Sequence, residues 1–314
     1  MTTRTEQRHK HKKRKGFKWV LSTVVVLVII GGTSLFFMWD KISDTFDAMH
    51  SPLDRDQGLD RQKALASLFN NNQSINILLL GVDERSGDKG RSDTMILMSL
   101  NPKTNSAMML SIPRDTYVNI PERGMDKINH AYAYGGVPLS VQTVEDAFDL
   151  HMHFYARINM EGFKDGIDTL GGVTVHNKQA FSQDGHQFNE GNLHLNGAEA
   201  LDYIRMRKQD PRGDIGRNER QRDVIKAAMD EAASFSNVIK AGELLNILGG
   251  NVQTNISPQN VRQLFSSYRG TRQNIKTLEL NGSGKRIGGI WYYIVLDEEF
   301  NRVTTEFNKH MNAK

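Results

Sequence analysis

Residues 19–39 contain no charged side chain, and this stretch constrains the fold more than any other part of the chain. Its 21 residues are mostly apolar and run from Trp19 to Trp39. A helix needs about 20 apolar residues to cross the hydrocarbon core of a bilayer, and tryptophan is enriched at both interfaces. We predict one transmembrane helix here. A buried core helix and a cleaved signal peptide are weaker alternatives, the latter because no A-x-A-like cleavage site follows.

Basic residues near the N-terminus predict the orientation of this helix. Residues 1–39 hold eight Lys and Arg and one acid, Glu6, whereas residues 40–314 hold 32 basic and 35 acidic residues. Basic flanks stay on the cytoplasmic side, where they also meet anionic lipid. We therefore predict a cytoplasmic tail over 1–18, a single-pass type II anchor in the cell membrane over 19–39, and an extracellular remainder. Membrane lipid is a predicted partner, and nucleic acid is not.

The chain contains no cysteine. This excludes disulfide frameworks, thiolate zinc sites, iron–sulfur clusters and cysteine nucleophiles. Any chemistry must therefore come from carboxylates, arginines, histidines, hydroxyls or a metal held by oxygen atoms.

Apolar runs beyond residue 74 predict a layered domain. Residues 75–80, 94–100 and 108–112 are continuous apolar stretches, as expected of strands covered on both faces. Helical patterns alternate with further strands toward the C-terminus. We predict an α/β fold, a single α-β-α layered domain with a central mixed sheet over 74–314, preceded by a stalk over 40–73.

Capping and turn signals predict the elements around the middle of the chain. Ser140 is expected to cap a helix, and Asn196 with Glu199 forms a capping box for another. We predict that this second helix ends near Ile204, that residues 176–195 form a long loop, and that a longer helix runs over about 218–233. Further helices are expected near 238–248 and 258–268, strands near 276–280 and 290–295, and a last helix near 297–311.

Two aspartates after the first predicted strand are candidate metal ligands. Asp83 and Asp93 flank a glycine-containing loop that could fold back and bring both carboxylates together. Ligands bind beyond the carboxyl ends of strands in open α/β sheets, and Mg²⁺ is commonly held by one or two carboxylates plus substrate phosphate. Two solvated loop acids are the simpler alternative.

Arginines are concentrated where an anion could bind. Arg114 follows a strand and Pro113, which ends the strand's hydrogen bonding. The segment 201–225 holds six arginines. On its predicted helix, Arg217 and Gln221 share a face with apolar residues and so point inward, near a helix N-terminus that favours anions. Arg205 and Arg207 share a face only if the chain there is extended. A solvated basic helix is the alternative.

Several familiar motifs are excluded. The segment NGSGKRIGG lacks the spacing of a P-loop and has Arg286 where Ser or Thr is required. The ten histidines show no HExxH pattern, and there is no GxSxG nucleophile elbow. Paired carboxylates and arginines without a covalent nucleophile favour metal-assisted phosphoryl transfer. The membrane anchor suggests a lipid-linked substrate.

Five segments together resemble the LytR-CpsA-Psr family of Gram-positive bacteria. They occur in order over roughly residues 74–230 and read GVDERSGDKGRSDTMIL, SIPRDTY, KINHAYAYGG, GFKDGIDTLGGVTV and LNGAEALDYIRMRKQDPRGDIGRNERQR. The tail, anchor and stalk also resemble the architecture of that family.

The resemblance implies an enzyme that transfers a phospho-glycan, such as wall teichoic acid, from an undecaprenyl-pyrophosphate carrier to the C6 hydroxyl of N-acetylmuramic acid in peptidoglycan. Mg²⁺ would be the cofactor, bridging the pyrophosphate to Asp83 and Asp93. The polyprenyl tail would enter an apolar pocket between sheet and helices. The residues expected at the pyrophosphate are Arg91, Arg114, Arg205, Arg207, Arg217 and Gln221.

Candidates for the group that orients or deprotonates the sugar hydroxyl follow from the same segments. Asp214 is the first candidate, from its place in RGDIGR, and Asp93 is its rival. If Asp214 has this role, Asp214→Asn should reduce turnover without abolishing lipid binding.

Three other functions remain open at the level of sequence. A polyprenyl-pyrophosphate glycan hydrolase could use the same site with water as acceptor. A carrier of wall polymer could bind the same ligand without catalysis. A transcription regulator is suggested only by the family's older names, and no helix-turn-helix pattern supports it.

Overall fold

The computed structural model describes residues 49–56, 58–84, 90–234 and 249–314. The described residues all belong to one compact unit. The predicted tail and anchor, and the helix expected near 238–248, lie outside the described residues. Among the helices that are described, none combines the length and the apolar character needed to cross a membrane.

A six-stranded mixed sheet forms the centre of the domain, in the order β11-β6-β1-β2-β3-β12. β1 is parallel to β6 and β3 is parallel to β12, whereas the pairs β1–β2, β2–β3 and β6–β11 are antiparallel. The carboxyl ends of β1, β3, β6 and β12 therefore meet at one end of the sheet. The strands are β1 (Ile75–Val82), β2 (Ser92–Asn101), β3 (Ser106–Ser111), β6 (Phe154–Asn159), β11 (Val252–Thr254) and β12 (Asn274–Leu278).

Helices cover both faces of this sheet, as the apolar strands require. On one face, Leu78, Leu97 and Leu110 are buried beneath two helices, α2 (His130–Phe148) and α7 (Asp297–Asn312). On the other face, Ile77 and Met98 pack with residues of α1 (Leu59–Asn70) and α5 (Asp214–Ser234). This confirms the predicted α/β fold with a central mixed sheet.

A third cluster of apolar residues extends the second face. Ile167, Val173, Tyr203 and Val224 are buried there, between helices and a small sheet. The elements concerned are α3 (Met160–Thr169), α4 (Gly197–Arg205), β7 (Val173–Asn177) and β10 (Gly191–Leu195). Residues of the predicted stalk also enter the core, since Leu53 and Phe69 are buried.

The remaining described elements are short. Two-stranded sheets are formed by β4 (Tyr117–Ile120) with β5 (Gly124–Lys127), β8 (Phe181–Gln183) with β9 (His186–Phe188), and β13 (Ser283–Ile287) with β14 (Ile290–Ile294). The last short helix is α6 (Pro258–Gln263).

Several local predictions are confirmed and others were wrong. The capping box at Asn196 and Glu199 is formed, and α4 ends at Arg205, one residue beyond the predicted end. The segment 176–195 is not a loop, because β8, β9 and β10 lie within it. Ser140 does not cap a helix. Non-helical backbone angles at Gly135 and Gly136 kink α2, its second segment begins before Ser140, and the Ser140 hydroxyl donates to the carbonyl of Gly136. α5 begins at Asp214, a full turn before its predicted start.

Candidate functional site

The two ends of the loop between β1 and β2 lie side by side. Antiparallel pairing of β1 with β2 puts Arg91 beside Asp83, whose amide donates to the Arg91 carbonyl at 3.3 Å. Gly90 permits this approach, because its φ is +68° and a Cβ there would lie 2.2 Å from the Asp83 carbonyl oxygen. Asp83 and Asp93 are thereby held at the same end of the sheet.

Two cavities meet at these aspartates. A polar cavity of about 510 Å³ is lined by Arg91, Arg114 and Lys127 among others. A larger cavity of about 780 Å³ has mainly apolar walls, from β1 and from α3, α4 and α5. Asp83 and Asp93 line both. The carboxylates thus stand at the boundary between a charged space and an apolar one.

Arg114 connects the end of β3 to this boundary. Its Nη1 lies 3.0 Å from Asp93 Oδ1, and its Nε lies 3.6 Å from Asp115 Oδ2. Partial burial opposes the charge of Arg114, but the neighbouring carboxylates of Asp93, Asp115 and Asp214 outweigh it and raise the pKa of the guanidinium. Arg114 is therefore a permanent cation at the polar cavity.

Arg217 and Gln221 lie on α5 and line the apolar cavity. Burial, which outweighs the attraction of Asp214, lowers the pKa of Arg217, and its Nε has no hydrogen-bond partner among the described residues. Its Nη2 lies 3.0 Å from Asp214 Oδ1. A buried guanidinium with an unused N–H is suited to an anionic ligand.

The other predicted arginines approach from two directions. Arg205, at the end of α4, lines the apolar cavity, and its guanidinium contacts the sulfur of Met160. Arg207 lies beyond the end of that helix, with Nε 3.7 Å from Asp214 Oδ1. Arg91 lines the polar cavity. Asp214, the first residue of α5, pairs with Arg217 and is not among the residues that line either cavity.

Sequence reasoning missed one ion pair, formed by a buried arginine, next to the site. Arg157 of β6 is 4 % exposed and contacts the carboxylate of Glu84, while its Nε lies 3.1 Å from the Tyr132 hydroxyl. Tyr132 in turn donates to Glu84 at 2.6 Å. These contacts fix the residue that follows Asp83. An arginine within an otherwise apolar strand was the available signal.

A second missed pair supports the arginine-rich segment. Asp210 and Arg220 are both buried, with Arg220 Nη1 2.7 Å from Asp210 Oδ2. Gly216 makes room for this carboxylate, since a Cβ there would lie 1.8 Å from it. The pair holds the chain between Arg207 and Arg217 in place.

The aspartates at the boundary suit a hard cation. Among the described residues no group of three or more His, Asp or Glu side chains could hold a metal alone. Asp83 and Asp93 supply two carboxylates beside a cationic cavity, and Mg²⁺ usually takes one or two carboxylates and completes its shell with phosphate and water. The donor set therefore fits Mg²⁺ only together with a phosphate-bearing ligand.

Comparison with known proteins decides the family. The model of the LytR_cpsA_psr family matches residues 36–309. The chain belongs to the LytR-CpsA-Psr family. It is 56 % identical, over the full length of both chains, to a protein of Oceanobacillus iheyensis named polyisoprenyl-teichoic acid–peptidoglycan teichoic acid transferase TagU. A Bacillus subtilis protein of the same name is 42 % identical and aligns with 96 % of this chain and 98 % of its own.

Solved structures agree with this assignment. The crystal structure of B. subtilis TagU covers 77 % of this chain and 98 % of its own, with 42 % identity and a TM-score of 0.64. A structure of TagT bound to LI-WTA covers 77 % of this chain and 92 % of its own, with 32 % identity and a TM-score of 0.67. Since the curated relatives are transferases, the predictions of the family and of an enzyme are confirmed.

Proposed function

We propose that this LytR-CpsA-Psr enzyme transfers a phospho-glycan from a polyprenyl-pyrophosphate carrier to the C6 hydroxyl of N-acetylmuramic acid in peptidoglycan. One observation carries the proposal: a cationic cavity and an apolar cavity share Asp83 and Asp93 at their boundary. A ligand with a charged head and a long apolar tail fits such a pair. The names of the relatives supply the wall polymer, a teichoic acid.

The donor would bind with its pyrophosphate at the boundary and its polyprenyl chain in the apolar cavity. Arg217 and Gln221 reach the boundary from the apolar side, and Arg91 and Arg114 from the polar side. Arg205 and Arg207 approach from the end of α4. Arginine suits this task because its planar fork makes paired hydrogen bonds to phosphate oxygens.

Asp83 and Asp93 would hold Mg²⁺ against the pyrophosphate. The bound ion would supply positive charge where negative charge accumulates on the phosphate oxygens. The arginines supply the same kind of stabilisation from fixed positions, at a site whose apolar side keeps water away.

In the transfer step, the sugar hydroxyl forms a bond to the phosphorus that carries the glycan, and the bond from that phosphorus to the polyprenyl-phosphate oxygen breaks. Polyprenyl phosphate leaves. The proton of the hydroxyl passes to a carboxylate. Asp93 is favoured for this, because it lines both cavities. Asp214 lines neither and, through its contact with Arg217, is better placed to position that arginine.

The cellular placement follows from the substrate and from the sequence. Peptidoglycan lies outside the cell membrane, and the apolar stretch 19–39 would anchor the enzyme there with its tail in the cytoplasm. A lipid-linked donor would then lie in the same membrane as the anchor.

The test is a transfer assay with the full-length protein in detergent. The mixture contains Mg²⁺, a short-chain polyprenyl-pyrophosphate disaccharide and peptidoglycan oligomers, and products are identified by mass spectrometry. Arg114→Ala is compared with Arg302→Ala, a matched arginine on the surface of α7 that pairs with Glu299.

We expect a phosphodiester-linked glycan on muramic acid in the wild type and in Arg302→Ala, and its loss in Arg114→Ala. Release of glycan phosphate without any muramic-acid product would show that the enzyme is a hydrolase and not a transferase. Binding of donor without either product would indicate a carrier.

A further inference from the structure

The hairpin β13–β14 is the most exposed ordered feature near the site. Every residue from 281 to 291 is exposed, including three large apolar side chains, Ile287, Ile290 and Trp291. The hairpin contains the segment NGSGKRIGG, which does not have the spacing of a P-loop. The site described above gives this segment no role. An exposed apolar group of this size beside a site marks an interaction surface.

Trp291 and Tyr293 form a supported aromatic surface on one face of the hairpin. The Trp291 ring lies across Gly284, where a Cβ would be 2.8 Å from the indole nitrogen. The Tyr293 ring lies across Gly282 in the same way, at 2.7 Å. The two ring centroids are 6.5 Å apart and the planes are tilted by 34°. The glycines thus let both rings lie against the backbone, and Trp291 keeps 40 % of its surface exposed.

The hairpin is joined directly to the wall of the polar cavity. The Tyr293 amide donates to the Asp115 carbonyl at 2.8 Å. On the opposite face of the hairpin, the Tyr292 ring packs 4.7 Å from that of Tyr117, and Lys127 Nζ lies 5.7 Å from its centre. Asp115 and Lys127 line the polar cavity. The aromatic surface therefore continues from the cavity in which the reaction is proposed.

Charge and position indicate the kind of partner. Residues 281–296 contain Lys285 and Arg286 and no acidic residue. The Tyr293 side chain packs against the core cluster beneath α2 and α7, whereas the apolar cavity is walled by Ile225 and Met229 of α5 on the other face of the sheet. The hairpin thus lies on the side of the sheet away from the proposed lipid tail. A partner here must offer apolar faces for stacking and negative charge for the basic residues.

We propose that the β13–β14 hairpin is the docking surface for the acceptor strand, with a sugar ring stacked on Trp291 and the carboxylates of the peptide stems near Arg286, which pairs with Trp291 across the hairpin and shares its face. The apolar face of a pyranose matches an exposed indole, and the stems supply the anionic groups. This inference rests on the proposed function for the identity of the acceptor. The hairpin would make the enzyme select a hydroxyl carried by a glycan strand over the hydroxyl of a small molecule.

Two measurements on the full-length protein test the proposal. The first is sedimentation with purified peptidoglycan sacculi stripped of teichoic acid. It compares Trp291→Ala and Arg286→Gln with Leu59→Ala, a still more exposed apolar residue at the start of α1. The second uses Trp19→Phe/Trp39→Phe, which leaves Trp291 as the one tryptophan of the chain, in proteoliposomes containing brominated lipid.

Trp291→Ala should weaken binding to sacculi about tenfold and raise the acceptor KM by a similar factor, without changing kcat at saturating acceptor. Arg286→Gln should weaken binding to intact strands but not to strands whose peptide stems were removed by an amidase. Leu59→Ala should bind as the wild type does, and brominated lipid should leave Trp291 fluorescence unchanged.

Unchanged binding of Trp291→Ala to sacculi would overturn the proposal, and so would quenching by brominated lipid, which would place the hairpin in the membrane. If the wild type binds sacculi through Trp291 but forms no transfer product, the hairpin assignment stands and the proposed reaction fails. The two ideas can therefore fail separately.

Discussion

Asp210 makes an ion pair on which the geometry of the arginine-rich segment depends. Its side chain is 4 % exposed and that of Arg220 is 9 % exposed. Arg220 also donates to the Met206 carbonyl at 2.6 Å, and Asp210 accepts the Arg212 amide at 2.9 Å. The turn that separates α4 from α5 is held by these bonds. We expect Asp210→Asn to loosen it and to displace Arg207 and Arg217 together.

The expected loss of stability follows from burial. Removing one partner of a buried ion pair costs about 3–5 kcal/mol. Here the lower end, about 3 kcal/mol, is expected because Asn keeps one acceptor oxygen and Arg220 keeps its bond to Met206. For a chain of this size that corresponds to a fall in Tm of about 5 °C.

The difference should also depend on pH, with a definite sign. Burial opposes ionisation of Asp210, but hydrogen bonds from Arg220 and Arg212 prevail and lower its pKa. A depressed carboxyl pKa contributes stability above the unfolded value, about 3.9, and loses it as the pH falls through the folded value. The difference in Tm between the wild type and Asp210→Asn should therefore be largest at neutral pH and become smaller below about pH 4.

The assay is thermal unfolding of the full-length protein in detergent, followed by circular dichroism. Arg212→Gln is the control, because Arg212 contacts the same carboxylate but is 50 % exposed, and exposed pairs contribute about 0–1 kcal/mol. The reasoning is refuted if Asp210→Asn melts with the wild type, or if Arg212→Gln is equally destabilising.

Three further predictions concern the cavities and the periphery. Arg114→Lys keeps the charge but loses the fork that faces Asp93, so turnover should fall at least tenfold in the transfer assay; near-normal turnover would mean that charge alone suffices. Ala228→Phe fills the apolar cavity and should impair a long-chain donor more than a short-chain one in the same assay; equal effects would place the tail elsewhere. Burial opposes the ionisation of Glu145, but hydrogen bonds from His151 and Arg55 outweigh burial and lower the pKa of Glu145 to about 2. Wild type should therefore lose its advantage in Tm over Glu145→Gln as the pH falls from about 4.5 toward 2, and a constant difference in a pH series would exclude this linkage.

The sheet could be predicted from the sequence because its strands carry their own signals. β1, β2 and β3 are apolar on both faces, which only a sheet between two layers of helices satisfies. The capping box of Asn196 and Glu199 is equally local, since both of its hydrogen bonds join residues three apart. Features encoded within a few residues could be predicted, whereas the pairing of one strand with another could not.

The segment 176–195 was misread for a reason that the sequence could have corrected. Asp184 and Gly185 join β8 to β9 with φ values of +47° and +94°, as a tight hairpin turn requires. An Asp-Gly pair is itself a hairpin signal. The flanking strands are only three residues long and mostly polar, so their periodicity was too weak to show them.

The candidate site shows the limit of sequence reasoning most clearly. The types of residue at the site could be read from the sequence, but their positions depend on pairs distant in the chain, such as Arg114 with Asp93 and Arg157 with Glu84. Parallel pairing of β1 with β6 brings Arg157 to the end of the sheet where Asp83 lies, and the β1–β2 hairpin brings Asp93 there. Asp214, the first candidate base by sequence, pairs with Arg217 and is absent from the lining of both cavities, which sequence alone could not show. A motif indicates which groups a reaction needs, and the strand order decides which of them can reach the substrate.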